Sequence, residues 1–197
     1  MATETYTKLR RRILAGLACS PLALSLAYGT AMAQDLTKVS LRLDSFYYGA
    51  HVPMLYAIES GIYAEHGLDV EALKGRGSAN TIQTVAAGSD DFGFADGGTL
   101  AKFVAQGLEA KLIVGILEVN PSVIVTFPDS GITSAADLEG RRGGFGVGSA
   151  PEVLFPAFVA ATGIDDSGIE KVSTDLPTRD TLFLNGEVDF AFGYSIM

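Results

Sequence analysis

The stretch GSDDFGFADGG at 88–98 has an echo at 186–196, GEVDFAFGYSI. Gly88 answers to Gly186, Asp91-Phe92 to Asp189-Phe190, and Phe94 to Phe192. Each copy reads as a helix end, a glycine stop, an acidic turn and a short strand Asp-Phe-x-Phe that runs into a loop. That loop is DGGT at 96–99 in the first copy and GYS at 193–195 in the second. Working outward from the first copy, the pattern predicts strands at 38–43, 68–73, 91–95, 111–119 and 122–127. Helices are expected at 52–60, at 78–87 with Ser78 as N-cap, and at 99–106. Around the second copy it predicts helices at 134–138, 150–161 and 178–184, and strands at 143–147, 169–173 and 188–192. Regular alternation of strand and helix implies right-handed crossovers and mainly parallel sheets. The strands carry few polar residues, as expected when helices cover both faces. The fold class is therefore α/β, with two lobes built to one plan and crossing at Asn120-Pro121. Ligands of such folds sit beyond the carboxyl ends of the strands. A solute that touches both lobes favours their closed arrangement by its differential affinity.

Residues 1–33 stand apart. Lys8 and Arg10 to Arg12 precede an apolar stretch at 13–27, with small residues at Ala31 and Ala33. This is the layout of a secretory signal cleaved after Ala33, by the general or the twin-arginine route. The apolar stretch is short for a membrane span and contains Pro21. Losing 1–33 takes away four bases and one acid, moving the formal charge from −9 to −12. A chain this acidic is a poor partner for nucleic acid or an anionic membrane. The one cysteine, Cys19, leaves with the signal, so disulfides, thiolate metal sites and cysteine nucleophiles are excluded from the mature chain. The two histidines, His51 and His66, match no zinc spacing. No cofactor is expected.

The segment FYYGAHVPMLYAIESGIYAEHGLDVE at 46–71 makes the reading more specific. Val52-Pro53, Ala57, Gly61 and Gly67-Leu68-Asp69-Val70-Glu71 occupy the places of an "APxxxAxxxGxxxxxGLDVE" pattern. With GRGSANTIQTVAAGSDDFGFAD (75–96), ITSAADLEGRRGGFGVGS (132–149) and NGEVDFAF (185–192), the chain resembles the SsuA/Thi-type family of periplasmic solute-binding proteins, which serve sulfonates and thiamine-pyrimidine precursors. The resemblance implies a type II periplasmic-binding-protein fold, two lobes around a cleft, and delivery of a small molecule to an ABC permease in the inner membrane. It implies a periplasmic monomer with three parts: the signal 1–33, lobe I at 34–120 and lobe II at 121–197. It also implies a chain that stops short at its C-terminus, before the segment that returns to lobe I.

The candidate ligand groups lie in the loops after strands. Phe46, Tyr47 and Tyr48 follow the first strand; their rings could sandwich a planar solute or pack under the next helix. His51 opens that helix and could donate to a ligand, cap the helix or sit in solvent. Gly75-Arg76-Gly77-Ser78 leads into a helix start, where free N–H groups and Arg76 suit an anion or a carbonyl. It lacks the ending of a phosphate loop. Asp96, Gly97 and Thr99 close the first echoed strand; Asp96 could accept from an amine or simply cap the helix. Ser149 belongs to the equivalent loop of lobe II, where Ser149 and Glu152 also form a capping box. Tyr194 follows the second echoed strand, and Asn120 lies at the crossing as hinge, contact or both.

These residues supply no nucleophile–base–orienter set. The reading is a binding protein, not an enzyme, for a small planar or anionic solute: a thiamine pyrimidine precursor, a sulfonate, nitrate or an aromatic acid. The alternatives are a thiamine-pyrimidine biosynthesis enzyme of the same fold and a periplasmic sensor lobe.

Overall fold

The computed structural model describes residues 35–195; the signal-like segment 1–33 lies outside them. Apolar residues at short strand spacing build two sheets. In the first, β1 (Thr37–Arg42) lies between β2 (Leu68–Leu73) and β3 (Phe92–Gly93), in the order β2-β1-β3, all parallel. In the second, β4 (Ser122–Thr126), β5 (Arg142–Gly146), β6 (Glu170–Thr174) and β7 (Phe190–Tyr194) take the order β4-β7-β5-β6. Here β5, β6 and β7 run parallel and β4 runs antiparallel to β7. Helices α1 (Val52–Glu59), α2 (Ile62–Glu65), α3 (Ser78–Ala86) and α4 (Gly97–Ala105) connect the first sheet, and α5 (Ala150–Thr162) and α6 (Leu176–Leu184) the second.

The echo has a physical explanation. Asp91 Oδ2 accepts from the Ser40 backbone N–H and hydroxyl at 2.8 and 2.9 Å, tying β3 to β1. Asp189 Oδ2 accepts from the Arg142 N–H at 2.8 Å, tying β7 to β5. Each aspartate thus anchors its strand to the central parallel neighbour, and the phenylalanine that follows enters the sheet.

The main core belongs to the second sheet. Leu138, Phe145, Phe155, Ile164, Ile169, Phe190 and Phe192 form one buried cluster. Phe145 meets Phe155 edge-on with ring centroids 5.1 Å apart, an arrangement worth about 0.5–1.5 kcal/mol beyond the area buried. Glycines make room for this cluster: a Cβ on Gly143 would overlap the Phe190 ring. This is why a glycine-rich run, RGGFG, serves as a central strand.

Two sequence expectations are corrected. The strand expected at 111–119 is absent; these residues run irregularly, and Leu112, Ile113, Val114 and Val119 are exposed. A strand needs a ladder partner, and β3, only two residues long, is paired with β1 alone among the described residues. Ser78 is not the N-cap of α3. Gly77 takes that position, and the Ser78 hydroxyl instead accepts the Asp96 N–H at 3.1 Å.

Candidate ligand cleft

The carboxyl ends of β1 and β3 in the first sheet and of β7 in the second line one hollow. Beside it, contacts between the segments that connect the two sheets are close. The Ala79 N–H donates to the Gly148 carbonyl at 3.0 Å, and the Lys102 ammonium donates to the Val153 carbonyl at 2.9 Å. Gly77, at φ +98°, lies so near Gly148 that an added Cβ would overlap its carbonyl group. On one side the hollow is lined by Asp44, Tyr48, Phe94, Asp96, Asn120 and Tyr194, and it continues along the face of the first sheet beneath the irregular segment 108–119. Its volume is about 1360 Å³.

The loop after β1 supplies the most buried part. Asp44, Ser45 and His51 are buried. The Tyr48 backbone N–H points at His51 Nδ1 across 3.4 Å, so the ring proton lies on Nε2, which donates to Asp44 Oδ1 at 3.0 Å. The Tyr48 hydroxyl donates to the other oxygen, Oδ2, at 3.1 Å. His51 packs edge-on against Tyr48 and against Phe94, at 4.2 and 5.1 Å between centroids. His51 thus holds the Asp44 carboxylate in place through Nε2.

Tyr48 and Tyr194 come from opposite lobes. Their rings lie within 4° of parallel, with centroids 6.4 Å apart. Burial and the negative charge of Asp44 push the Tyr48 hydroxyl pKa well above the usual phenolic range. Burial also raises Tyr194, as do the charges of Asp44 and Asp96, while the Ala150 N–H and Arg179 oppose the shift. Both phenols stay protonated at neutral pH.

Asp96 N-caps α4: Oδ1 accepts from the Thr99 N–H at 2.6 Å and the Thr99 hydroxyl at 2.9 Å. Its Oδ2 accepts from Asn120 Nδ2 at 2.9 Å, and Asn120 Oδ1 accepts from the Ser122 N–H at 2.9 Å. Asn120 thus ties the start of α4 to the start of β4, where Ser122 pairs with Tyr194.

The expected residues therefore divide. Asp96, Gly97, Asn120 and Tyr194 line the hollow. His51, Thr99 and Ser78 lie buried just behind it as supports. Ser149, also buried, caps α5 by accepting the Glu152 N–H. Phe46 is half-buried and does not line the hollow. Tyr47 turns away, donating to the Ala72 carbonyl at 3.2 Å, with Lys74 Nζ 5.1 Å from its ring centre. Arg76 is exposed and is also absent from the lining. Asp44 was not foreseen, although it follows β1 directly and the rule of strand carboxyl ends applies to it as to Asp96. Among the described residues no group of three His, Cys, Asp or Glu side chains is placed to hold a metal ion. No helix among them is long and apolar enough to cross a membrane.

Comparison with known proteins gives three results. The family described as NMT1/THI5 like matches residues 49–197. A putative thiamine biosynthesis protein of Haemophilus influenzae is 27% identical over 157 residues, 79% of this chain and 49% of that protein. A 4-amino-5-hydroxymethyl-2-methylpyrimidine phosphate synthase of Legionella pneumophila is 24% identical over 164 residues, 83% of this chain and 51% of that one. The chain spans about half the length of the curated relatives it matches. Among solved structures, the alkanesulfonate-binding protein SsuA of Xanthomonas axonopodis pv. citri, bound to MOPS, superposes with a TM-score of 0.58 at 16% identity, covering 82% of this chain and 55% of that one. The shared fold is the type II periplasmic-binding-protein fold.

Proposed function

The chain belongs to the NMT1/THI5-like family, and on that premise we propose that it is the solute-binding component of an ABC-type importer, closing its two lobes over one small planar solute. The observation that carries this reading is the pair of parallel tyrosine rings, Tyr48 from one lobe and Tyr194 from the other, 6.4 Å apart. A ring seated between two others needs about 7 Å, twice the roughly 3.5 Å contact between carbon atoms. Opening the lobes until the two ring faces stand that far apart admits a flat solute and lets both lobes grip it. A compact sulfonate or nitrate makes little use of two parallel faces, whereas a pyrimidine or another six-membered aromatic ring uses both.

Asn120, at the crossing between the lobes, acts in this reading as the hinge-side tie, and His51 as the support that orients Asp44. The permease is the partner, the chain works as a monomer in the periplasm, and it delivers the solute unchanged. The name of the Legionella relative favours a second reading, an enzyme of pyrimidine biosynthesis. Recovery of a bound solute after prolonged incubation separates the two: the importer component returns it intact, and an enzyme returns a product.

The test is a thermal-shift screen of the full chain against pyrimidine precursors, aromatic acids and sulfonates. A solute that binds the native state raises the melting temperature by mass action, about 2.7 kcal/mol at a hundredfold excess over Kd. Tyr194→Ala is expected to abolish the shift caused by a planar solute. Retention of that shift in Tyr194→Ala would refute the sandwich.

A further inference from the structure

The charge of the cleft narrows the solute further than its shape does. The Asp44 carboxylate is 5% exposed and lines the hollow. It has no Arg or Lys partner among the ion pairs of the described residues; its one nitrogen partner is His51. The Tyr48 N–H is aimed at His51 Nδ1, which leaves Nε2 to face Asp44. A carboxylate offers about four acceptor positions, and His51 and Tyr48 use two of them. Asp96 adds a second carboxylate at the wall, and its neighbour Asn120 brings no charge.

Among the described residues no nearby cation pairs with Asp44: Lys111 lines the far part of the hollow beneath segment 108–119, where Asp91 and Glu109 line it too. Arg179, buried behind β7, donates to the Phe192 carbonyl and gives two hydrogen bonds, at 2.9 and 2.6 Å, to Asp180 Oδ1. Arg76 points into solvent rather than into the hollow. Both tyrosine hydroxyls carry the mark of the same field, since the charge of Asp44 raises each.

We infer that Asp44 makes this cleft select solutes that carry a positively charged N–H group on a planar ring, and reject planar anions. The inference rests on the proposed sandwich and names the chemical class it takes: amidinium groups and related planar cations that carry an N–H. A solute N–H⁺ seated between Tyr48 and Tyr194 completes the acceptor capacity of Asp44 and gains cation–π attraction from both ring faces. A carboxylate or sulfonate there faces Asp44 and Asp96 at close range, and like-charge juxtaposition of this kind costs several kcal/mol.

An isosteric series tests this without knowledge of the natural solute: benzamidine (cation), benzamide (neutral) and benzoate (anion), titrated calorimetrically against the full chain at neutral pH. The expected order is benzamidine, then benzamide, then benzoate, with the first binding about tenfold or more tighter than the last. Asp44→Asn is expected to bring benzamidine and benzoate within about threefold of each other. Asp96→Asn, which preserves the N-cap because asparagine caps as well as aspartate, is expected to narrow the gap less. It also keeps the attribution testable if Asp44→Asn does not fold. Benzoate binding as tightly as benzamidine, with both lost in Tyr194→Ala, would overturn the charge selection and leave the sandwich standing. Benzamidine binding that ignores Tyr194→Ala would overturn the sandwich itself. Failure of benzamidine to bind at millimolar concentration would also overturn the selection.

Discussion

The two copies of Asp-Phe-x-Phe share a local role but end in different surroundings. Phe190 is fully buried, whereas Phe92, its counterpart, is 43% exposed. The reason lies in their strands. β7 has partners on both sides, β4 and β5, while among the described residues β3 has β1 alone. What each lobe buries differs in kind. The second sheet encloses an aromatic and aliphatic cluster, whereas the first buries Leu43, Met54 and Ile82 together with the polar Asp44, Ser45, His51, Ser78, Thr81 and Thr99. The second lobe thus supplies most of the packing, and the first supplies most of the polar chemistry that faces the cleft.

The sharpest way to break this comparison is to truncate the echoed phenylalanines in parallel. Phe190→Ala removes the centre of the aromatic cluster and is expected to destabilise the chain by about 3–5 kcal/mol. Phe92→Ala, at an exposed edge, is expected to cost less than about 1 kcal/mol. Urea unfolding of both variants measures the difference, and equal losses would mean the two lobes are packed alike.

The junction between the lobes gives the next effect. Gly77 lies against Gly148 at a left-handed φ, and a methyl group there both strains the backbone and overlaps the Gly148 carbonyl. Gly77→Ala is expected to cost about 1–3 kcal/mol in stability and to weaken benzamidine binding about tenfold or more, because the lobes no longer meet. Gly168→Ala is the control. Its Cβ would make only ordinary contact with Gly140, 3.4 Å away, and Gly168 does not line the hollow, so binding should change less than threefold by the same calorimetry, roughly 0.6 kcal/mol.

The smallest effect is a pH dependence confined to the second lobe. The backbone N–H of Thr133, then the hydroxyl and N–H of Ser134 and the Thr133 hydroxyl, hold the Asp137 carboxyl at a pKa of about 2, below its ordinary 3.8. A depressed folded-state pKa contributes stability that is present above the unfolded value and is lost as pH falls from about 4 towards 2. Asp137→Asn is expected to flatten that part of the acid unfolding curve slightly, and an unchanged slope would count against the cap.

Much of this was legible in the sequence because it is written in local chemistry. Alternating strand and helix patterns, the stops at Gly61, Gly88 and Gly163, and the Asp-Phe echo each follow from residues close together in the chain. What failed was long-range. The run KLIVGILEV at 111–119 has strand propensity, yet a strand exists only where a neighbour supplies hydrogen bonds, and no local pattern reports that neighbour. Candidate site residues were missed or misplaced for a similar reason. Tyr47 and Tyr48 are indistinguishable by position, and only the turn at 49–51 sends Tyr48 into the cleft and Tyr47 over Ala72. Arg76 looked attractive because glycines flank it, but its side chain is exposed and outside the lining of the hollow. Asp44 was hidden because its importance comes from a partnership, with His51 seven residues on, that a strand-end aspartate does not announce.

The most direct test of the account is where a planar cation sits. Intermolecular NOEs between the ring protons of benzamidine and the labelled chain are predicted to connect to the side chains of both Tyr48 and Tyr194, one from each lobe. NOEs confined to the exposed apolar residues of 112–119 and the open face of the first sheet would place the solute away from the strand ends and contradict it.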